Sequence, residues 1–154
     1  MRSELSIIGL GYIGLPMAAL FASHGFSVVG VDVQPAVVET VNAGGIHIVE
    51  PELADLVNMA VKQGTLRATG QPEPSKNHLI AVPTPFKADH TPDLQYIQAA
   101  ARALAPVLNT GDLVILESTV PIGTTRQLAQ WLAEARPDLS FPERAGNEAD
   151  VQIA

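Results

Sequence analysis

Two apolar rhythms alternate along this chain, and their alternation predicts its architecture. Short continuous apolar runs at residues 5–9, 27–32, 78–82 and 112–116 have the length and β-branched content of strands buried on both faces. Residues 65–69 read as a short edge strand, and residues 151–154 as a sixth strand inside which the sequence ends. Between them, apolar residues recur at helical spacing: Val37, Val38 and Val41; Leu53, Leu56, Val57 and Ala60; Ile97, Ala100, Ala101 and Leu104; Leu128, Trp131 and Leu132. With a small-residue apolar run at 16–22, these stripes predict helices over residues 12–23, 35–43, 52–63, 92–108 and 121–135. Gly25, Gly44-Gly45 and Asn109-Thr110-Gly111 supply stops, and Thr91-Pro92-Asp93 a cap with Pro92 at the first helical position. Residues 71–77, 86–91 and 136–150 read as loops, and residues 46–51 as an extended connector. Strand and helix in this order imply an α/β, doubly wound parallel sheet, most simply ordered 3-2-1-4-5-6 with the sixth strand truncated. By length, residues 1–154 form one domain.

The junction of the first strand and first helix carries the first chemical signal. Gly9, Gly11 and Gly14 stand in the spacing G-x-G-x-x-G, between an apolar strand and a helix, which is the context of a Rossmann-type dinucleotide site. Gly9 makes the tight turn, Gly11 lets a pyrophosphate approach bare backbone, and Gly14 lets the helix pack close to the strand. Asp32 ends the second strand 18 residues after Gly14, near the spacing of the acid that binds the adenosine ribose. Its carboxylate would repel a 2′-phosphate, so NAD is favoured over NADP; the alternative is that Asp32 only caps the next helix.

Two further strand ends carry hydroxyls. Pro83-Thr84-Pro85 holds Thr84 stiffly past the fourth strand, and Glu117-Ser118-Thr119, followed by Thr124-Thr125, lies past the fifth. Ligands bind at that edge of open parallel sheets, so Thr84 is a candidate cofactor contact, or else an incidental residue of a rigid loop. His47 and Glu50 read as solvated loop residues, with a substrate-facing role as the alternative.

Composition narrows the chemistry. A hydrophobic share of 47 % against 16 % charged excludes a disordered chain. The net charge of −7 disfavours a nucleic-acid surface, and no apolar run is long enough to span a membrane. No Lys or Arg lies between Arg2 and Lys62, so a phosphate at the glycine turn must be held by backbone N–H groups and a helix end. Cys is absent and the four His are scattered, so neither a thiol nucleophile nor a metal site is expected. The N-terminus runs directly into a strand with no signal-peptide pattern, and a cytoplasmic location is expected.

Four stretches together carry a resemblance: Gly9-Leu10-Gly11-Tyr12-Ile13-Gly14-Leu15-Pro16, Val31-Asp32, Val82-Pro83-Thr84-Pro85, and residues 117–125 from Glu117 to Thr125. On them the chain resembles the N-terminal, NAD-binding domain of the UDP-glucose/GDP-mannose dehydrogenase family. Residues 46–51, Ala81 to Lys87, the Trp131-Leu132-Ala133-Glu134 helix and Arg136 to Leu139 most resemble the branch acting on UDP-N-acetyl-D-mannosamine. The resemblance implies oxidation of the sugar C6 alcohol to a carboxylate by two NAD, through a cysteine-bound intermediate, in service of surface polysaccharide synthesis. It implies NAD contacts at Tyr12, Ile13, Asp32, Thr84 and Thr125, with Pro83 and Thr119 adjoining. It also implies that the catalytic Cys and Lys, a middle helix and a UDP-sugar-binding domain lie outside these 154 residues, and that the whole enzyme is a homo-oligomer. No catalytic residue is therefore assigned here, and this chain alone is expected to be inactive. Phe141-Pro142-Glu143-Arg144 imitates the family's Cys-Pro-Glu-Arg turn, yet it precedes the sixth strand, where that turn should follow it. A stand-alone NAD-binding or regulatory module and a dehydrogenase of another UDP-sugar remain open. A methyltransferase and an NADP-linked dehydrogenase rank lower.

Overall fold

The computed structural model describes residues 2–154. Its centre is a six-stranded sheet, parallel at every pairing, in the order β3-β2-β1-β4-β5-β6. The strands are β1 (Ser3–Ile8), β2 (Val28–Val31), β3 (Leu66–Thr69), β4 (Ser75–Ile80), β5 (Asp112–Leu116) and β6 (Val151–Ile153). The helices are α1 (Gly14–Ser23), α2 (Pro35–Asn42), α3 (Leu53–Gln63), α4 (Gln95–Leu104), α5 (Thr124–Ala135) and α6 (Pro142–Ala145). Side chains alternate across the pleat and so split the core in two. Leu5, Ile7, Val28 and Leu79 face α1, α2 and α3, whereas Ile8, Val29, Ile80 and Val114 face α4 and α5. The doubly wound order inferred from the sequence is the one observed.

Boundaries moved where side chains or prolines overrule the periodicity. α1 starts at Gly14 and not at residue 12, because Pro16 has no N–H to bond the Tyr12 carbonyl, although Leu15 already donates to Gly11 at 3.1 Å. β4 begins three residues early and ends two early. Ser75 and Asn77 pair with Ser3 and Leu5, and the Ser3 and Ser75 hydroxyls meet at 2.5 Å. α4 begins at Gln95, because Pro92 is drawn into a bridge with Phe86 while the Asp93 amide donates to the Pro85 carbonyl at 2.7 Å. The Asp93 carboxylate accepts from the Gln95 amide at 3.0 Å, so Asp93, and not Thr91, serves the first turn. α5 likewise starts at Thr124, three residues later than its prolines suggested. The expected loop at 136–150 contains α6 and a 3-10 turn (Gly146–Glu148), pinned by the buried Phe141.

The opening ends of the strands hold a polar cluster. Asp112 is buried, accepts from the Asn109 amide at 2.8 Å, and pairs with Arg2, whose guanidinium also donates to the Ser75 carbonyl at 2.6 Å. His78 is fully buried beside it, with Nε2 3.6 Å from Asp112 Oδ2, and neither ring nitrogen has a hydrogen-bond partner among the described residues. Burial, reinforced by the Arg2 cation, pushes the His78 imidazole down to about 4 from an ordinary 6.5. Between those values the unfolded chain takes up a proton that the folded chain refuses, so stability falls as the pH drops through this window. The complete shift corresponds to about 3 kcal/mol. Urea denaturation at about pH 7 and about pH 4.5 should therefore show a smaller acid loss in His78→Leu than in wild type; equal losses would refute it.

Candidate functional site

The site is built at the ends of β1 and β2. Gly9 has φ +96°, and a Cβ there would lie 2.5 Å from the Ala81 carbonyl oxygen, so the turn leaves β1 pressed against the chain that continues β4. At Gly14 a Cβ would overlap the Gly9 carbonyl oxygen, which shows how closely α1 descends onto the strand end. Gly11 is different. A Cβ built there meets nothing within 4 Å, so no protein atom needs that glycine, and the space above it is open. Among the described residues, no acceptor takes the amides of Gly11, Tyr12, Ile13 or Gly14. Four bare donors at a helix start form an anion cradle that matches a pyrophosphate.

Leu10 ties this cradle to the neighbouring strand. Its side chain is fully buried, over Gly30 of β2, where a Cβ would come within 2.8 Å of it. Its amide donates to Asp32 Oδ2 at 3.1 Å, while the Gln34 amide donates to Asp32 Oδ1 at 2.9 Å. The Asp32 carboxylate is thus fixed between the glycine turn and the loop entering α2, half-buried, with lone pairs left for donors on a ligand. It braces the loop entering α2 and leaves an acceptor on the groove.

A groove of about 500 Å3 runs over these elements and gathers Gly9, Gly11, Tyr12, Ile13, Asp32 and Pro83. Gly14 supports the groove from beneath. Thr84, Thr119 and Thr125 do not line it; they lie on the loops past β4 and β5 and at the start of α5. The Thr84 hydroxyl donates to the Thr119 carbonyl at 2.7 Å, so towards a ligand it offers lone pairs only. His47, which reads as a solvated loop residue with a substrate-facing role as the alternative, reaches the groove. Two contributions escaped the sequence reading: Gly70, Gln71 and Pro72 between β3 and β4, and Tyr96, Ala99 and Ala103 of α4. The last set was visible in principle: Tyr96, Ala99, Ala100 and Ala103 form an i, i+3, i+4, i+7 stripe beside the core face. Glu143 of the decoy motif lies away from this groove, paired with Arg126 at 3.1 Å. A second hollow, of about 390 Å3 between α5 and α6, is lined by no glycine.

Two substitutions separate the structural from the ligand-facing parts of the turn. Asp32→Ala leaves the buried Leu10 amide without an acceptor and should lower the unfolding free energy by about 1–3 kcal/mol in urea titration. Gly14→Ala forces a Cβ into backbone and should abolish cooperative unfolding altogether. A wild-type melting curve from either would contradict this account.

Comparison with known proteins agrees with the geometry. Residues 3–154 match the family model described as UDP-glucose/GDP-mannose dehydrogenase family, NAD binding domain. The chain is 61 % identical over 150 residues to the UDP-N-acetyl-D-mannosamine dehydrogenase of Yersinia pestis, covering 97 % of this chain and 36 % of that protein. It is 59 % identical over 150 residues to the NDP-N-acetyl-D-galactosaminuronic acid dehydrogenase of Ralstonia nicotianae, with the same two coverages. Among solved structures it superposes on the UDP-N-acetyl-mannosamine dehydrogenase of Staphylococcus aureus with a TM-score of 0.88 at 31 % identity, over 98 % of this chain and 35 % of that one. It therefore spans about a third of the length of the relatives it matches. With its parallel sheet, its glycine cradle and this match, the chain belongs to the UDP-glucose/GDP-mannose dehydrogenase family, as that family's NAD-binding domain.

Proposed function

We propose that this chain holds NAD for an enzyme that oxidises C6 of UDP-N-acetyl-D-mannosamine to the mannosaminuronate, consuming two NAD per sugar. The observation that carries the reading is the cradle: the amides from an open Gly11 to Gly14, without acceptors among the described residues, beside a fixed Asp32 and with no Lys or Arg in the sequence between Arg2 and Lys62. Bound NAD supplies the hydride acceptor. The chain's own residues bind and orient. The Gly11, Tyr12 and Ile13 amides take the pyrophosphate with Gly14 beneath them, and Asp32 accepts from the adenosine ribose hydroxyls. Thr84, Thr119 and Thr125 serve the other nucleoside, because the sheet order sets β2 on one side of β1 and β4 and β5 on the other.

The residues that attack the sugar are proposed to lie outside these residues, in a middle helix and a UDP-sugar-binding domain of a cytoplasmic homo-oligomer. This sequence contains no Cys to carry a thioester. The second reading, a dehydrogenase of another UDP-sugar such as UDP-glucose or UDP-N-acetylglucosamine, draws support from the Ralstonia relative, which at nearly the same identity is named for a different, NDP-linked sugar acid.

Calorimetric titration tests the cofactor assignment. NAD should bind and NADP should bind at least about tenfold more weakly, since a 2′-phosphate meets the Asp32 carboxylate with no cation beside it. A preference for NADP would overturn the role given to Asp32. Gly11→Ala should retain the wild-type melting temperature yet lose NAD affinity, because its methyl fills only the open space. Unchanged affinity would remove the phosphate from this turn.

A further inference from the structure

We propose that Ser118 is a positioning residue. Together with Thr84, it binds the loops past β4 and β5 into one rigid platform for the nicotinamide half of the cofactor. The proposal rests on the NAD reading above. The two loops exchange hydroxyls reciprocally. Thr84 Oγ1 donates to the Thr119 carbonyl at 2.7 Å, and Ser118 Oγ donates to the Val82 carbonyl at 2.8 Å. Backbone links between the loops stop at Ile80, whose carbonyl accepts from the Glu117 and Ser118 amides at 3.0 and 3.2 Å. Beyond that point no backbone bond joins the two loops among the described residues, and prolines thin the donors there: Pro83 and Pro85 flank Thr84, and Pro121 follows Thr119 by two residues. Side-chain hydroxyls make the connection that prolines deny to the main chain.

The consequence is local. The adenosine end is fixed independently, by the Leu10 and Gln34 amides on Asp32. The platform lies across β1 from it, past β4 and β5. Loosening the platform therefore costs the nicotinamide half its preorganised partners and leaves the adenosine and pyrophosphate partners in place.

Titration of wild type, Ser118→Ala and Ser118→Thr with NAD and with ADP, which lacks the nicotinamide nucleoside, tests this. Ser118→Ala should weaken NAD binding roughly tenfold, the loss of one part-buried hydrogen bond, while ADP affinity stays within about twofold. Ser118→Thr, which keeps the hydroxyl, should restore NAD affinity. Equal weakening of both ligands would mark Ser118 as merely structural, and no weakening of either would show that the tie is idle; both outcomes overturn the proposal. Backbone order parameters at Thr84 and Thr119 judge the tie without any ligand. They should fall in Ser118→Ala and recover in Ser118→Thr, and unchanged values would refute it. Wild type that bound neither NAD nor ADP would instead refute the cofactor reading.

Discussion

The whole site depends on how closely α1 approaches the end of β1. The helix begins where a single Cβ at Gly14 would collide with the Gly9 carbonyl, and that contact sets where its first amides point. Pro16 contributes by omission: it has no N–H for the Tyr12 carbonyl, so the helix begins only at Gly14, and the amides ahead of its first full turn have no intrahelical acceptor. Leu10 then locks the turn to β2 twice, through its side chain over Gly30 and its amide on Asp32. Gly30 lies outside the fingerprint yet is needed for the same reason as the glycines within it, because the backbone must leave room for a neighbour. The donors left for a ligand are those that this packing leaves unused.

The two ends of the strands spend polar groups differently. At the opening ends, Arg2, Ser3, Ser75 and Asp112 are linked by hydrogen bonds and an ion pair, and neither ring nitrogen of the buried His78 has a hydrogen-bond partner among the described residues. At the closing ends, amides and hydroxyls stay exposed or engage loop carbonyls. An interior polar cluster adds little net stability and is costly when broken. It does fix which residues of β1, β4 and β5 lie side by side, and so aligns the three strand ends on which the groove is built.

Most of the fold was legible because buried parallel strands and amphipathic helices write their periods directly into the sequence. The glycine turn and Asp32 were legible because spacing alone specifies them. What escaped or stayed open was tertiary in origin. Ser75 and Asn77 look like loop residues until Ser3 and Glu4 are beside them, and Asn77 donates to the Glu4 carbonyl at 2.9 Å. His47 belongs to the groove only because the connector between α2 and α3 folds back to it, a contact that no local pattern encodes. Thr84 was correctly singled out as a polar residue at a strand end. That its proton is committed to Thr119 depends on a residue 35 positions away.

The absence of Lys and Arg between Arg2 and Lys62 has a consequence in solution. A pocket that gathers phosphates with lysine and arginine draws them in through a field that mobile ions weaken, and its occupancy shifts with the surrounding salt. A cradle of main-chain amides acts through short, directed hydrogen bonds, and water competes for those far more than sodium or chloride does. Such a domain holds its dinucleotide by shape, so its saturation follows the cell's supply of cofactor and stays nearly indifferent to its ionic strength.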